Sequence, residues 1–335
     1  MRTKEHIGLF AFAFSIALMN GFSQTCSTTR IADVKSILSA SASPTGQNIL
    51  FYGSKEEADG EVSLGYIFDF VLSGSGRGVF RLKVPAATNP AHPVWKDDGT
   101  AAYFDTDKGV YRFDPRNHHA ALVWSGVVAG LAIAPMGGLL AFWRVGRGSE
   151  TLIVFDPARR SEVQTWDVRD RFESDHSGWD LAFSPDGRSL YARTYDESHR
   201  TPLKRFDLKT RKIEIEDEDC AALAAGNGSV YYISNLESSK ILYKIAGSDD
   251  RGSPVLKSLG YDTLFAGGNS RWIVMENLRS LRIGFLDTET DTIKAMEQQN
   301  IMTVLPDGRL MVGNGARISI GPASCVSSMD EPRLR

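Results

Sequence analysis

The chain has 335 residues, of which 42% are hydrophobic and 24% are charged, and its formal net charge at pH 7 is −3. A chain of this length can bury a large hydrophobic core. The slightly acidic balance does not fit a nucleic-acid-binding protein, because such domains are normally strongly basic. We therefore expect a globular protein that has no nucleic-acid partner.

The N-terminus has the layout of a secretory signal peptide. A positively charged start precedes an apolar run over residues 7–19, and Gly21 and Ser23 are small residues at the spacing that a signal peptidase accepts. The run is shorter than the ~20 apolar residues of a membrane span. An uncleaved anchor and lipoprotein processing at Cys26 are therefore the lesser alternatives. We predict that residues 1–23 are removed, that the protein is periplasmic or secreted, and that the mature chain does not span a membrane.

A turn built around glycine recurs along the chain. Residues 181–193 (LAFSPDGRSLYAR) show the pattern, in which two short apolar runs flank a Ser-Pro-Asp-Gly turn, as in a β-hairpin. Equivalent turns contain Gly46, Gly99, Gly138, Gly187, Gly228, Gly268 and Gly308. These glycines are separated by 53, 39, 49, 41, 40 and 40 residues. The chain therefore contains seven copies of one unit.

A second turn follows the first in most units, 15 to 20 residues after the turn glycine. It carries Asp114, Asp156, Asp207, Gly247 or Asp287. Each unit then predicts four short antiparallel strands, which is the content of a β-propeller blade. No segment after the signal shows a helical period, which excludes helical repeat proteins. We predict an all-β fold, a seven-bladed β-propeller of four-stranded antiparallel blades, as one domain over residues 24–325.

These repeats resemble those of a known group of proteins. The segments LAFSPDGRSLYAR and LKRFDLKTRKIEI and the stretch 93–124 are similar to repeats of exported bacterial TolB-like and WD-repeat-like propellers. The resemblance extends over residues 36–320 and implies the propeller fold. It does not imply one function, because such propellers serve as scaffolds, as ligand binders and occasionally as enzymes. The Trp-Asp pair at Trp166 is out of register with the Trp-Asp pair of WD repeats.

The last repeat has material for only three strands before the polar tail at residues 326–335. A strand from residues 27–34 would complete the seventh blade and remove an open edge. This arrangement brings Cys26 close to Cys325, so we predict a disulfide between them, with a stabilisation of about 4 to 5 kcal/mol in the chain-entropy model. Cys220, directly before a first strand, is predicted to be a buried residue and not a reactive thiol.

Function is expected on the face that carries the loops between second and third strands and the connections between blades, around the mouth of the channel. The longest and most polar of these loops are residues 54–63, 144–150, 169–180 and 195–201, and the binding candidates come from those of blades three and four. They contribute Arg144, Arg147, Arg169, Arg171, His176, Trp179, Tyr195, His199 and Arg200. Guanidinium groups beside aromatic rings suit a carboxylate, a sugar phosphate or an acidic protein patch. Interleaved acidic residues leave a solvated charged rim as the alternative.

The sequence gives weaker signals for a catalytic or metal-binding site than for a ligand-binding surface. The His118–His119 pair lacks further ligands at a zinc spacing, and Asp175, His176 and His199 form the remaining candidate for a metal or acid–base site. The predicted first strands consist of small and apolar residues, which favours a central channel filled by packed side chains. We expect no cofactor and no metal, and interpret the protein as a monomeric, non-catalytic propeller that binds a protein or cell-envelope ligand. The alternative is a propeller enzyme, such as a lactonase-like hydrolase or lyase, acting at the channel mouth.

Overall fold

The structure is a computed structural model. It describes residues 27–31, 34–54, 64–72, 78–88, 91–135, 138–146, 150–168, 180–195, 200–236, 239–246, 251–257, 259–265, 271–277, 279–280, 282–296, 301–315 and 317–322. Over these residues, 28 strands form seven four-stranded antiparallel sheets, and no helix is present. The predicted all-β, seven-bladed propeller is confirmed. The signal peptide and both residues of the predicted disulfide, Cys26 and Cys325, lie outside the described residues.

The first four blades follow one another along the chain. Blade one contains β2 (Ser36–Ala42), β3 (Asn48–Ser54), β4 (Gly65–Val71) and β5 (Gly78–Arg81). Blade two contains β6 (Val94–Trp95), β7 (Ala102–Thr106), β8 (Gly109–Asp114) and β9 (His119–Ser125). Blade three contains β10 (Val128–Ile133), β11 (Leu140–Val145), β12 (Glu150–Asp156) and β13 (Ser161–Val168). Blade four contains β14 (Leu181–Phe183), β15 (Ser189–Arg193), β16 (Leu203–Asp207) and β17 (Ile213–Asp217).

The remaining blades complete the ring. Blade five contains β18 (Cys220–Gly226), β19 (Ser229–Ser234), β20 (Ile241–Ala246) and β21 (Ser253–Leu256). Blade six contains β22 (Thr263–Phe265), β23 (Trp272–Glu276), β24 (Ile283–Asp287) and β25 (Thr292–Met296). Blade seven contains β26 (Ile301–Val304), β27 (Leu310–Asn314), β28 (Arg317–Gly321) and, from the start of the described chain, β1 (Ser27–Arg30). Strand β1 pairs antiparallel with β28, from Ser27 opposite Ile320 to Arg30 opposite Arg317.

The hydrophobic core lies between the blades. The first strands of neighbouring blades contact one another around the central axis, and the faces of the blades pack side by side. Trp95 of blade two, only 1% exposed, packs against Leu50 and Tyr52 of blade one. Strand β3 is buried along its whole length, because a neighbouring blade covers each of its faces. Such strands therefore have largely apolar sequences, while the outermost strands consist mostly of exposed and half-buried residues.

The Ser-Pro-Asp-Gly stretch forms the tight turn that its sequence predicts. Gly187 has a φ of +68°, a conformation that residues with a Cβ rarely adopt. Its N–H donates to the carbonyl of Ser184 over 2.9 Å. The Asp186 carboxylate accepts hydrogen bonds from the Ser184 hydroxyl at 2.6 Å and from the Arg188 N–H at 3.0 Å. The glycine and aspartate of the repeat are therefore structural turn residues.

Candidate functional site

The order of strands within a blade separates two faces of the ring. Turns between first and second strands and between third and fourth strands lie at one end, which we call the turn face. The loops between second and third strands and the connections between blades lie at the other end, which we call the loop face. Long connections of the loop face include residues 55–64, 146–149, 169–180 and 194–202. In such a ring the loop face surrounds one mouth of the central channel.

Three of the predicted binding residues are described, and all three lie on the loop face of blades three and four. A guanidinium nitrogen of Arg144 lies 3.1 Å from the hydroxyl of Thr151, which lies 3.2 Å from a carboxylate oxygen of Asp167. Arg200 is exposed and forms an ion pair with Glu218 at 3.2 Å. Tyr195 is half-buried. The other predicted residues, Arg147, Arg169, Arg171, His176, Trp179 and His199, lie outside the described residues and stay predictions.

Glu150 is the first residue of β12, at the loop-face end of blade three. Strand pairing places it between Val145 and Val168, so its two neighbours across the sheet are apolar. Burial raises the pKa of Glu150 to about 7. Its Oε2 has no hydrogen-bond partner among the described residues. Near neutral pH this group therefore exists in both protonation states, and it can donate or accept a hydrogen bond.

Three polar residues occupy equivalent positions at the channel mouth in blades two, four and six. His92, Asp180 and Asp262 each lie three residues before the last paired residue of a first strand. The Nδ1 of His92 lies 3.4 Å from the carbonyl oxygen of Ala40 in blade one. Asp262 forms an ion pair with Lys240 of blade five. The apolar sequences of the first strands did not indicate these three residues, because the residues belong to the connections that precede the short strands.

Asp180 forms an ion pair with the second strand of its own blade. Its carboxylate lies 2.7 Å from a guanidinium nitrogen of Arg193, whose side chain is 7% exposed. It also accepts the backbone N–H of Leu223 in blade five. Burial raises the pKa of Asp180 although the Arg193 guanidinium opposes the shift. The Nε of Arg193 has no partner among the described residues, so part of this buried cation keeps free donor capacity.

A second buried carboxyl group lies between blades one and two. The hydroxyl of Tyr52 lies 2.6 Å from the carbonyl oxygen of Asp105 and 3.0 Å from its Oδ1. The N–H of Ala91, next to His92, donates to the same Oδ1 at 3.1 Å. Burial raises the pKa of Asp105 to about 7, while burial lowers the pKa of His92. A carboxyl group whose pKa is near 7 therefore accepts a hydrogen bond from the residue that precedes a buried histidine.

Cys220 opens β18 and is buried, as its position before a first strand predicts. Its Sγ lies 3.3 Å from the carbonyl oxygen of Ala222. Burial raises the pKa of the thiol well above its ordinary value. Because the thiolate is the reactive form, this cysteine is suited to packing and not to nucleophilic chemistry.

Searches for a metal site and a membrane span cover the described residues alone. No three His, Cys, Asp or Glu side chains among them are grouped so that they could hold a metal ion. In that same part of the chain, no helix is long and apolar enough to cross a membrane.

Comparisons with known proteins show similarity in solved structures only. No protein-family model and no curated protein matches the chain. An oligogalacturonate lyase in complex with manganese is 11% identical, with a TM-score of 0.62 over 90% of this chain and 98% of that chain. The propeller domain of Myceliophteria thermophila Cps50 (Swd1) is 13% identical, with a TM-score of 0.57 over 88% and 97%. TolB from Acinetobacter baumannii is 12% identical, with a TM-score of 0.48 over 79% and 64%.

The likeness is one of fold. The expected resemblance to WD-repeat propellers is confirmed at that level. The similar structures belong to different kinds of protein, a lyase and the Cps50 (Swd1) propeller domain, so the function has to be argued from the residues of this chain.

Proposed function

We propose that this protein is an exported, non-catalytic β-propeller that binds a protein or cell-envelope ligand through the loop face of blades three and four. The observation that carries the proposal is the pair of buried polar groups at this end of the two blades. Glu150 Oε2 and Arg193 Nε have no partner among the described residues. Unpaired buried polar atoms are costly, and a ligand whose binding rearranged this end of the two blades so that both atoms were paired would recover that free energy.

The charges of this surface suit an anionic ligand group. Arg144 and Arg200 are exposed on the loop face, and a guanidinium group binds carboxylate and phosphate groups through paired hydrogen bonds. The connections 146–149 and 169–180 join strands of the same two blades. Export is inferred from the layout of residues 1–23. We propose that the mature protein is a periplasmic or secreted monomer.

The test compares one pair of substitutions on each face. Mature protein is immobilised and exposed to a detergent extract of the producing organism's cell envelope, and retained proteins and glycolipids are identified by mass spectrometry. The variant R144A/R200A is expected to lose a retained component at least tenfold. The control R116A/R309A removes two arginines of the turn face and is expected to keep it. If no component distinguishes the two variants, the proposal is wrong.

The second candidate is a hydrolase or lyase that acts at the channel mouth. It is favoured by Asp105, a buried carboxyl group whose pKa is raised to about 7 and which accepts the N–H of Ala91, the residue before His92. A general acid or base works best with a pKa near the working pH. Purified protein would be assayed on a panel of lactones and uronate oligosaccharides. Turnover that disappears in D105N, while this variant still unfolds cooperatively and at no lower temperature than the unmodified protein, supports this candidate; a lack of turnover on the whole panel rejects it.

A further inference from the structure

Three junctions between neighbouring blades are fastened by a side chain of a second turn. His118 of blade two bonds to Asp69 of blade one. Arg211 of blade four bonds to a carbonyl of blade three, and Asp291 of blade six pairs with Lys244 of blade five. Blade seven has no second turn, because its third strand β28 and its fourth strand β1 come from opposite ends of the described chain. The junction of blades six and seven therefore lacks this fastening.

Strand pairing shows which outer residues of blades six and seven face each other. Phe285 of blade six packs in one hydrophobic cluster with Val312 of blade seven. Lys294 is paired with Phe285, and Ser319 is paired with Val312. Residues paired across antiparallel strands project from the same face of a sheet. Lys294 and Ser319 therefore project into the outer part of this junction from opposite sides.

The surface that blade seven turns toward this junction carries two arginines and two hydroxyl groups. Thr28 is paired with Ser319 and Arg30 with Arg317, and the hydroxyl oxygens of Thr28 and Ser319 lie 3.1 Å apart. Both arginines are exposed, and neither guanidinium group has an ion-pair or hydrogen-bond partner among the described residues. Like charges directly opposite each other on paired strands repel. An anion bound between the two arginines would remove this repulsion.

Blade six presents a third cation to the same junction. Lys294 is exposed on the outermost strand β25, and its Nζ lies 5.3 Å from the ring centroid of Trp272. Trp272 packs against the hydrophobic cluster between the two blades, which confirms the direction of the lysine. Packed sheets lie about 10 Å apart, so long side chains from both blades can reach one group held between them.

The described acidic residues on these facing surfaces lie away from the arginines. Asp287 is 4% exposed at the turn-face end of β24, where it accepts hydrogen bonds from the Arg271 guanidinium at 3.0 and 2.7 Å. Glu289 pairs with the same guanidinium at 3.1 Å. Glu276 is half-buried at the loop-face end of β23, two strands inward from β25. Arg30 and Arg317 lie at the loop-face ends of the two outer strands of blade seven.

We propose that the junction of blades six and seven binds a phosphate group between Arg30 and Arg317 on one side and Lys294 on the other. Guanidinium groups bind phosphate oxygens through paired, charge-assisted hydrogen bonds, and the hydroxyls of Thr28 and Ser319 are further donors. A phosphate monoester carries a charge of about −1.5 to −2 near pH 7, which suits three cations better than a single carboxylate does.

The bound phosphate links two blades that no second turn fastens. It therefore stabilises the ring at the place where the two ends of the described chain meet. The site lies on the outer rim of blades six and seven and not on the loop face of blades three and four. It does not depend on the function proposed above.

The first test is isothermal titration calorimetry of the mature protein with inorganic phosphate at constant ionic strength. Acetate is the second probe, because it is an anion with a single charge. We expect one phosphate per chain, bound at least tenfold more tightly than acetate. An absence of phosphate binding, or equal affinity for the two anions, would overturn the proposal.

Substitutions then locate the phosphate. R30A/R317A is expected to raise Kd at least tenfold, and K294A is expected to raise it several-fold. The control R159A/R188A removes two arginines of blades three and four whose side chains are 84% and 82% exposed, and it should leave Kd unchanged. A thermal unfolding curve identifies any variant that does not fold. If the control weakens binding as much as R30A/R317A does, or if K294A has no effect, phosphate does not join these two blades.

Four acidic residues near the ends of these strands or in the C-terminal tail lie outside the described residues. They are Asp33, Glu297, Asp330 and Glu331. A variant in which all four are replaced by amides is expected to bind phosphate with a Kd within a few-fold of the unmodified value. Binding that becomes tenfold tighter would show that these carboxylates already occupy the arginines, and the proposal would then be wrong.

Hydrogen exchange gives an independent readout of the link between blades. Inorganic phosphate should slow exchange in β1 and β25 and leave β9 unchanged; protection confined to other strands would contradict the site. Cosedimentation with phosphatidylcholine vesicles, with and without phosphatidic acid, identifies the source of the phosphate. Binding to the phosphatidic acid vesicles that R30A/R317A abolishes supports a lipid headgroup in this site. Calorimetric binding without cosedimentation supports a soluble phosphate in the same site.

Discussion

The Nδ1 of His118 lies 2.6 Å from the Oδ2 of Asp69, and the two residues belong to neighbouring blades. Asp69 is fully buried, and it also accepts a hydrogen bond from Asn48 at 2.9 Å. His118 has a φ of +53° in the second turn of blade two, and Arg211 and Asp291 have the same left-handed conformation in blades four and six. Each of these three residues contacts the preceding blade. The second turn therefore joins neighbouring blades.

Replacing His118 should destabilise the ring. H118A leaves the buried carboxyl group of Asp69 with Asn48 as its remaining partner, and the expected loss is about 1 to 3 kcal/mol in the free energy of unfolding. Urea unfolding of purified protein measures it. R160A is the control, because Arg160 has the same φ of +53° in blade three and forms no hydrogen bond to blade two among the described residues. Equal effects of the two substitutions would assign the loss to the turn and not to Asp69.

Asp105 should make stability depend on pH. Its pKa is about 7 in the folded protein and near 3.8 when unfolded, so between these values the folded state holds a proton that the unfolded state has released. The stabilising contribution of Asp105 is therefore complete at low pH and is lost as the pH rises through about 7. D105N keeps the acceptor for Tyr52 and Ala91 but cannot ionise.

The expected result is that D105N gains stability relative to the unmodified protein between pH 5 and pH 8, by an amount on the order of a few kcal/mol. Unfolding curves of both proteins at the two pH values measure the difference. A difference that is the same at both pH values would show that Asp105 does not titrate in this range.

Gly109 should tolerate substitution less well than the glycine of the Ser-Pro-Asp-Gly turn. Gly109 has a φ of +141°, and a Cβ there would stand 2.0 Å from the carbonyl oxygen of Trp124. Gly187 has a φ of +68° with open space around it, so G187A should cost only about 1 to 2 kcal/mol, the strain of a left-handed residue. G109A should cost more, because the backbone of β9 has to move. Thermal unfolding of the two variants ranks them, and an equal cost would contradict the crowding at Gly109.

Cys220 should be unreactive until the protein unfolds. Its thiol is buried, and burial raises its pKa, so thiolate is scarce at neutral pH. Treatment with iodoacetamide followed by peptide mass spectrometry is expected to leave Cys220 unmodified in native protein and to modify it fully in denaturant. Rapid modification of Cys220 in the native state would show that blade five opens.

The same experiment, without reductant, tests the predicted disulfide between Cys26 and Cys325. A linked peptide pair is expected. Free alkylated Cys26 and Cys325 in native protein would mean that this disulfide is absent.

The sequence by itself determined the number of blades and the four strands in each. The signals for these features are local: a turn glycine such as Gly187 needs its own φ, and Asp186 bonds to neighbours within its own turn. Each copy of the turn is determined by its own residues. The repeat period could therefore be recognised in the sequence without knowledge of any distant contact. The burial of Cys220 could be inferred in the same way, from its place before a first strand.

Only the tertiary structure decided which polar residues meet. Asp69 and His118 are 49 residues apart, and Tyr52 and Asp105 are 53 apart, so each pair forms only when two blade faces pack together. Asp105 is buried and titrates near neutral pH because the neighbouring blade excludes water from it. The repeat period of the sequence does not specify these contacts between blades, because the contacts depend on how whole blades pack around one axis.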